Sequence, residues 1–156
     1  MTPDAFPEDR LERILAAVET IEESLGVLAG KQDTSREEYK RDSDVRDIVE
    51  RRFVKMTEAT IDIGEEILKH ERGVPPESNL GTMRTLGELN IVSTTIAEEM
   101  AQATRFRNVL SHTYGDIIDH DAVYRALQDL ERYRTFVSDI RDHLESIGAF
   151  DDTSSE

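Results

Sequence analysis

Between Val123 and Ile147 the chain reads VYRALQDLERYRTFVSDIRDHLESI, and this stretch decides the fold class. Val123, Leu127, Leu130, Tyr133, Val137, Ile140, Leu144 and Ile147 recur at steps of three and four residues. That is the spacing of one face of an α-helix and not the alternation of a strand. Either Asp119 or Asp121 stands where an N-cap belongs.

The same spacing extends upstream. Leu11, Ile14, Val18, Ile21, Leu25 and Leu28 form a stripe that ends at Gly30, and residues 32–35 form a break or cap region. Val45, Ile48, Phe53, Met56, Thr60, Ile63 and Ile67 form a second stripe. It stops before Gly73-Val74-Pro75-Pro76, which cannot continue a helix. Residues 73–81 read as the main loop, followed by a short helix from about Met83 to Leu89 with Leu86 inward. A further helix carries Val92, Ile96, Met100, Ala103, Phe106 and Leu110 and stops at Gly115.

Four long helices and one short one, with no convincing strand, predict an all-α antiparallel bundle. Residues 1–156 read as a single domain with frayed ends at about 1–7 and 149–156. The stripes are long for one small core. A homodimer through the helices that bear the motif described next would cover the surplus.

Composition narrows the chemistry. There are no cysteines, so disulfides and cysteine-ligated metal centres are excluded. No apolar run approaches a membrane span, and Met1 to Ala5 lack the basic-then-apolar pattern of a secretory signal, so a cytoplasmic, non-membrane protein is expected. The formal charge is −15, with the acids spread through every segment. Lys31, Lys40, Lys55 and Lys69 are the only lysines among 19 basic residues. Dispersed acids with little lysine suit a halophilic, high-salt cytoplasm; an acidic protein seeking a basic partner is the alternative. The difference matters for nucleic acid, which such a charge repels. In molar salt the Debye length shrinks to about 3 Å, and only close contacts decide binding.

Polar chemistry concentrates in Arg107-Asn108-Val109-Leu110-Ser111-His112-Thr113-Tyr114. Arginine offers a fixed fork of donors suited to phosphate, and histidine moves a proton near neutral pH. Asn108 and His112 form an i, i+4 pair, so the amide can orient the imidazole. Arg107 and His112 are five positions apart, roughly 140° around an ideal helix. Either the helix unwinds before His112, or a site that uses both residues combines groups from two chains.

This motif, Arg107-x4-His112-x-Tyr114, preceded by Phe106 and followed by Gly115-Asp116-Ile117, resembles the signature of the HEPN superfamily, in particular its HepT-like toxin branch. The Ala59-Thr60-Ile61-Asp62-Ile63-Gly64 helix and the loop before the short helix are similar to that branch as well, and the likeness spans roughly residues 8–148. The resemblance implies a HEPN-like bundle acting as a metal-independent RNA endonuclease toxin, with no cofactor. It implies a homodimer whose cleft takes one arginine and one histidine from each protomer. It also implies a cognate nucleotidyltransferase antitoxin that adenylylates the motif tyrosine. Carried onto this chain, Arg107 and His112 are catalytic, Asn108 is the supporting polar residue and Tyr114 is the modification site. Arg105 is a candidate RNA contact, although a surface ion pair suits it better. The other reading is a non-catalytic substrate- or nucleotide-binding partner subunit of a nucleotidyltransferase.

Structural roles stand beside these. In so acidic a chain any arginine, Arg107 included, has a carboxylate as its default partner. Tyr114 would serve as a helix-end anchor with a packed ring. His70, His120 and His143 show no metal-ligand spacing. Glu65-Glu66 and Glu98-Glu99 lack the Glu-x-x-His companion of a bundle-core metal site and read as solvated faces. Other arginines, such as Arg51, Arg52 or Arg84, are ones that folding could bring to the motif.

Overall fold

Arg10 and Arg13, near the start of helix α1 (Glu8–Ala29), both meet Glu66, near the end of helix α3 (Ser43–Arg72). Glu23, late in α1, meets Arg52, early in α3, so the two helices run antiparallel. The computed structural model describes residues 6–74, 76–112 and 118–151. Among these residues every regular element is a helix. Besides α1 and α3 it contains α2 (Arg36–Arg41), α4 (Asn79–Glu88), α5 (Thr94–His112), α6 (His120–Leu127) and α7 (Glu131–Ser146).

Contacts fix the remaining directions. Thr57 pairs with Tyr133, and Glu71 lies by His143, so α7 runs parallel to α3. The residue before α5, Ser93, donates its backbone N–H to Asp139 in the middle of α7. Near the other end of α5, Phe106 lies edge-on to Phe53, whose ring faces Tyr133 near the start of α7. Helix α5 therefore opposes both α3 and α7. The four long helices run up, down, up, down in chain order.

The stripes read from the sequence form the core. Ile14, Ile21, Leu28, Phe53, Met56, Ile63, Ile67, Met83, Leu86, Met100, Tyr133, Phe136, Ile140 and Leu144 are buried almost completely. Full burial of such a side chain stabilises by about 1.5–3 kcal/mol. The Tyr133 hydroxyl is satisfied by Thr57 Oγ1 at 3.1 Å. Helices α2, α3, α4 and α6 start at side-chain caps: Ser35 accepts from the Glu38 N–H, Asp42 from Asp44 and Val45, Ser78 from Gly81, and Asp119 from Asp121 and Ala122. Gly73 ends α3 with φ of 84°, a left-handed conformation that glycine adopts without strain.

Among the described residues, seven helices replace the expected five. The stretch 123–147 is two helices, α6 and α7, separated at Gln128, Asp129 and Leu130. Here Gln32 donates its side-chain amide to the Leu127 carbonyl at 2.9 Å, and Gln128 returns one to the Gln32 carbonyl at 3.0 Å. The α1–α2 turn thus bonds to the helix end that α6 exposes. The buried period survives the break because Leu127, Leu130 and Tyr133 keep three-residue steps. The region after residue 35 forms the additional helix α2. Helix α4 starts at Asn79, before the expected Met83, because Ser78 caps it. Ile48 is exposed and Val49 is buried. Val49 lies four residues before Phe53 and so shares its face, whereas Ile48 lies five before. At the ends, Phe6 and Ala149 pack against the core, and residues 1–5 and 152–156 lie outside the described residues.

Helix α5, which carries the motif, is seated on α4 by a close approach. A Cβ added to Gly87 would lie 2.6 Å from Ala97 Cβ, an atom fixed to the α5 backbone. Gly87→Ala must therefore push the two helices apart. Overpacking of this kind costs about 1–3 kcal/mol, which outweighs the gain in helix propensity of about 1 kcal/mol. Thermal unfolding of Gly87→Ala is expected to occur roughly 2–8 °C lower; a melting temperature equal to or above that of the parent protein would contradict this packing.

Candidate functional site

The part of the motif from Arg107 to His112 ends α5. Ser93 caps the helix by accepting from the Ile96 N–H at 3.1 Å. Ile96, Ala97, Met100, Ala101, Ala103 and Thr104 bury one face. Phe106 continues that face, with its ring 5.8 Å from Phe53 at an angle of 81°. These contacts place Arg107 beside α3. Its Nη2 donates to Glu58 Oε2 at 2.5 Å, and its Nη1 donates to Asn108 Oδ1 at 3.2 Å. The side chain of Arg107 is 21% exposed and that of Glu58 is 49% exposed. Arg107 Nε is buried and has no hydrogen-bond partner among the described residues.

The structure thus brings Arg107, Asn108 and Glu58 together. His112 closes α5 in the backbone. Its side chain and that of Ser111 lie outside the described residues, as do residues 113–117, which include Tyr114 and Gly115. Arg105 does not join the group. Two positions from Arg107, it faces the other side of the helix, is exposed, and makes no ion pair among the described residues. The expectation of a surface ion pair therefore fits Arg107 and not Arg105. The nearest charge effect of Arg105 is on Glu98. That carboxyl is held below its usual range first by its hydrogen bond from Arg84, then by the charges of Arg84 and Arg105.

The other arginines considered from sequence are committed elsewhere or stand apart. Arg52 pairs with Glu23, Arg84 pairs with Glu98, and Arg51 is exposed. A groove of about 680 Å³ runs between α1 and α3 and reaches Glu58. Its Arg13 and Arg52 are paired with Glu66 and Glu23, and Asp62 and Glu65 add further negative charge. Burial pushes the Asp62 carboxyl up, reinforced by Glu65, Glu58 and Glu66. This groove offers phosphate few unpaired donors. No cluster of metal-ligating side chains exists among the described residues, and none of the described helices is long and apolar enough to cross a membrane.

A second polar group lies where α6 begins. His120 Nδ1 is 3.9 Å from Glu50, and Tyr39 stacks edge-on to His120 and tilted against Tyr124. The Tyr39 hydroxyl is buried without a partner among the described residues, and burial, followed by the charge of Glu50, pushes it up. The Glu50 carboxyl is likewise pushed up, first by burial and then by Asp47. Of the other histidines, His70 packs on Phe6, and His143, beside Glu71, is pushed down by burial. Sequence reading missed Glu58. It lies 49 residues before Arg107, at an exposed position of a charged helix, and no periodic signal distinguishes it from its acidic neighbours.

Comparison with known proteins follows from this geometry. The family model described as ribonuclease HepT-like matches residues 11–140. The tRNA nuclease HepT of Aphanizomenon flos-aquae is 29% identical over 114 residues, covering 72% of this chain and 77% of that protein. Among solved structures, a toxin–antitoxin crystallised with AMP-PNP superposes with a TM-score of 0.78 at 22% identity, covering 84% of this chain and 98% of the other. The tri-AMPylated Shewanella oneidensis HEPN toxin in complex with its MNT antitoxin gives 0.76 at 21% identity, covering 83% and 97%. A cytosolic Bacillus subtilis protein of unknown function gives 0.78 at 18% identity, covering 93% and 96%. The shared fold is the HEPN-like all-α bundle.

The electrostatics of the polar group at the start of α6 can be tested through Glu50. Its folded-state pKa is raised, so the stability linked to it is present below the unfolded value of 4.5 and is lost as pH rises through the folded value. Glu50→Gln should therefore match the parent protein in melting temperature near about pH 4 and exceed it increasingly toward about pH 8. A difference that stays flat across this range would show that Glu50 is not strained by burial.

Proposed function

The chain belongs to the ribonuclease HepT-like family, and on that premise we propose that it is an RNA endonuclease toxin whose working unit is a homodimer. Its composite site takes Arg107 and His112 from each protomer, and its cleavage step uses no metal ion. The observation that carries the proposal is the course of α5. The backbone stays helical through His112, which keeps positions 107 and 112 roughly 140° apart around the axis. This supports the two-chain reading over an unwound helix end, because one straight helix cannot focus both groups on a single phosphodiester. The matched family span includes both residues.

In this site one imidazole takes the proton of a ribose 2′-OH as the oxygen attacks the adjacent phosphorus. The bond from phosphorus to the 5′ oxygen breaks, and the second imidazole, from the other protomer, protonates the departing oxygen. Arg107 stabilises the charge that grows on the phosphoryl oxygens. Asn108, hydrogen-bonded to Nη1 of Arg107, holds the guanidinium to its helix. Proton transfer and charge stabilisation by these side chains complete the reaction.

The cognate partner is a nucleotidyltransferase antitoxin that adenylylates Tyr114. Two of the structural relatives support this reading: one is an AMPylated toxin bound to its antitoxin, and the other is a toxin–antitoxin pair holding AMP-PNP. An added phosphodiester and nucleoside beside the motif would repel and obstruct RNA together.

His112→Ala should reduce RNA cleavage by about 10²–10⁴-fold while leaving the melting temperature unchanged. Retention of the parent rate would exclude the imidazole mechanism. Protein co-expressed with the transferase should show an adenylyl mass increment on the Tyr114 peptide. An unmodified peptide from a growth-competent culture would remove the neutralisation step.

A further inference from the structure

Glu58 occupies the place on Arg107 where a substrate anion would bind. The carboxylate oxygen lies 2.5 Å from Nη2, a charge-assisted contact of the kind a phosphate oxygen makes. Nε is buried, and Nη1 already holds Asn108. An anion arriving from solvent must therefore approach the Nη groups, and at Nη2 it meets the oxygen of Glu58.

We propose that Glu58 is a placeholder for the substrate phosphate, an autoinhibitory contact that RNA displaces when it engages Arg107. The inference rests on the nuclease reading above. The two side chains differ in freedom. Arg107 is one-fifth exposed and is tied to its own helix through Asn108, whereas Glu58 is half exposed at the rim of the α1–α3 groove. Movement of Arg107 would disturb a buried side chain; movement of Glu58 only returns a carboxylate to water. The surroundings also set the direction of that movement. Asp62, one turn further along α3, is pushed up in part by Glu58 and repels it. Lys55, one turn back and also lining the groove, offers the displaced carboxylate a cation at i, i+3 spacing.

An ion pair whose carboxylate is half exposed shifts an equilibrium by about fivefold, so a phosphate making two charge-assisted bonds to the guanidinium can replace it. The contact therefore sets a threshold for binding without blocking it. While RNA is absent it also keeps the mostly buried guanidinium paired.

The test uses full-length protein made without the transferase, a short single-stranded RNA, and the variants Glu58→Gln and Glu65→Gln. The second variant removes one charge from the same helix without touching Arg107. Glu58→Gln is expected to lower KM about two- to fivefold with kcat unchanged, and Glu65→Gln is expected to leave KM unchanged. In a His112→Ala background, Glu58→Gln should tighten RNA binding by the same factor, and the gain should vanish when Arg107→Ala is added. A fall in kcat at constant KM would overturn the proposal, because Glu58 would then be aiming Arg107 and not yielding to RNA. An equal gain in Glu65→Gln, or a gain that persists without Arg107, would overturn it as a general charge effect. If the parent protein cleaves, Arg107→Ala does not, and Glu58→Gln equals the parent, only the placeholder falls. If the parent protein neither binds nor cleaves RNA, or Arg107→Ala behaves like it, the nuclease reading falls and takes the placeholder with it.

Discussion

The seating of α5 against its neighbours governs the rest of the structure. Gly87 allows Ala97 to approach until no side-chain carbon fits between α4 and α5. Phe106 then meets Phe53 edge-on, and the Phe53 ring in turn faces Tyr133 at the head of α7. Interiors packed at this density do not slide by fractions of an ångström without loss. The rotation of α5 about its axis is therefore set by packing, and with it the direction of Arg107. A helix turned by one position would carry Arg107 away from Glu58.

Charge is the second constraint. A chain with a formal charge of −15 has more carboxylates than cations to pair with them, and its arginines reflect this. Arg10 and Arg13 share Glu66, Arg36 and Lys40 share Asp121, and Arg52, Arg84 and Arg141 each hold a single acid. Most of these pairs are exposed and contribute little stability individually. Their collective effect is on function, because few donors remain to attract a polyanion at long range. Recognition of RNA then rests on short-range contacts, and Arg107 is the arginine of the motif that packing orients.

The sequence conveyed the helical character and the inward faces well. The buried positions from Val123 to Leu144, from Ile14 to Leu28 and from Phe53 to Ile67 match the periodic stripes, because burial of one face follows directly from the spacing of apolar residues. Local caps were legible for the same reason: Ser35 and Asp119 act within three residues of themselves. The breaks were harder to read. The interruption at residues 128–130 preserves the apolar phase, and it is stabilised by Gln32, 95 residues away from the carbonyl it bonds. Helix α2 is too short for a stripe to announce it. Apolar character alone points Ile48 inward, although the phase set by Phe53 selects Val49.

The site divides along the same line. Sequence alone determined that Arg107, Asn108 and His112 fall near one helix end, because residues close in the chain remain close on a helix. It also determined that positions 107 and 112 diverge, because helical geometry is the same in every protein. Only the tertiary structure decided that Arg107 faces α3 and meets Glu58, that Arg105 stands apart, and that Arg52 and Arg84 are held by other acids. Those outcomes depend on how helices distant in sequence rotate and pack against one another. That rotation is set by interlocking side-chain shapes such as Gly87 on Ala97 and Phe53 on Phe106, which no local spacing encodes.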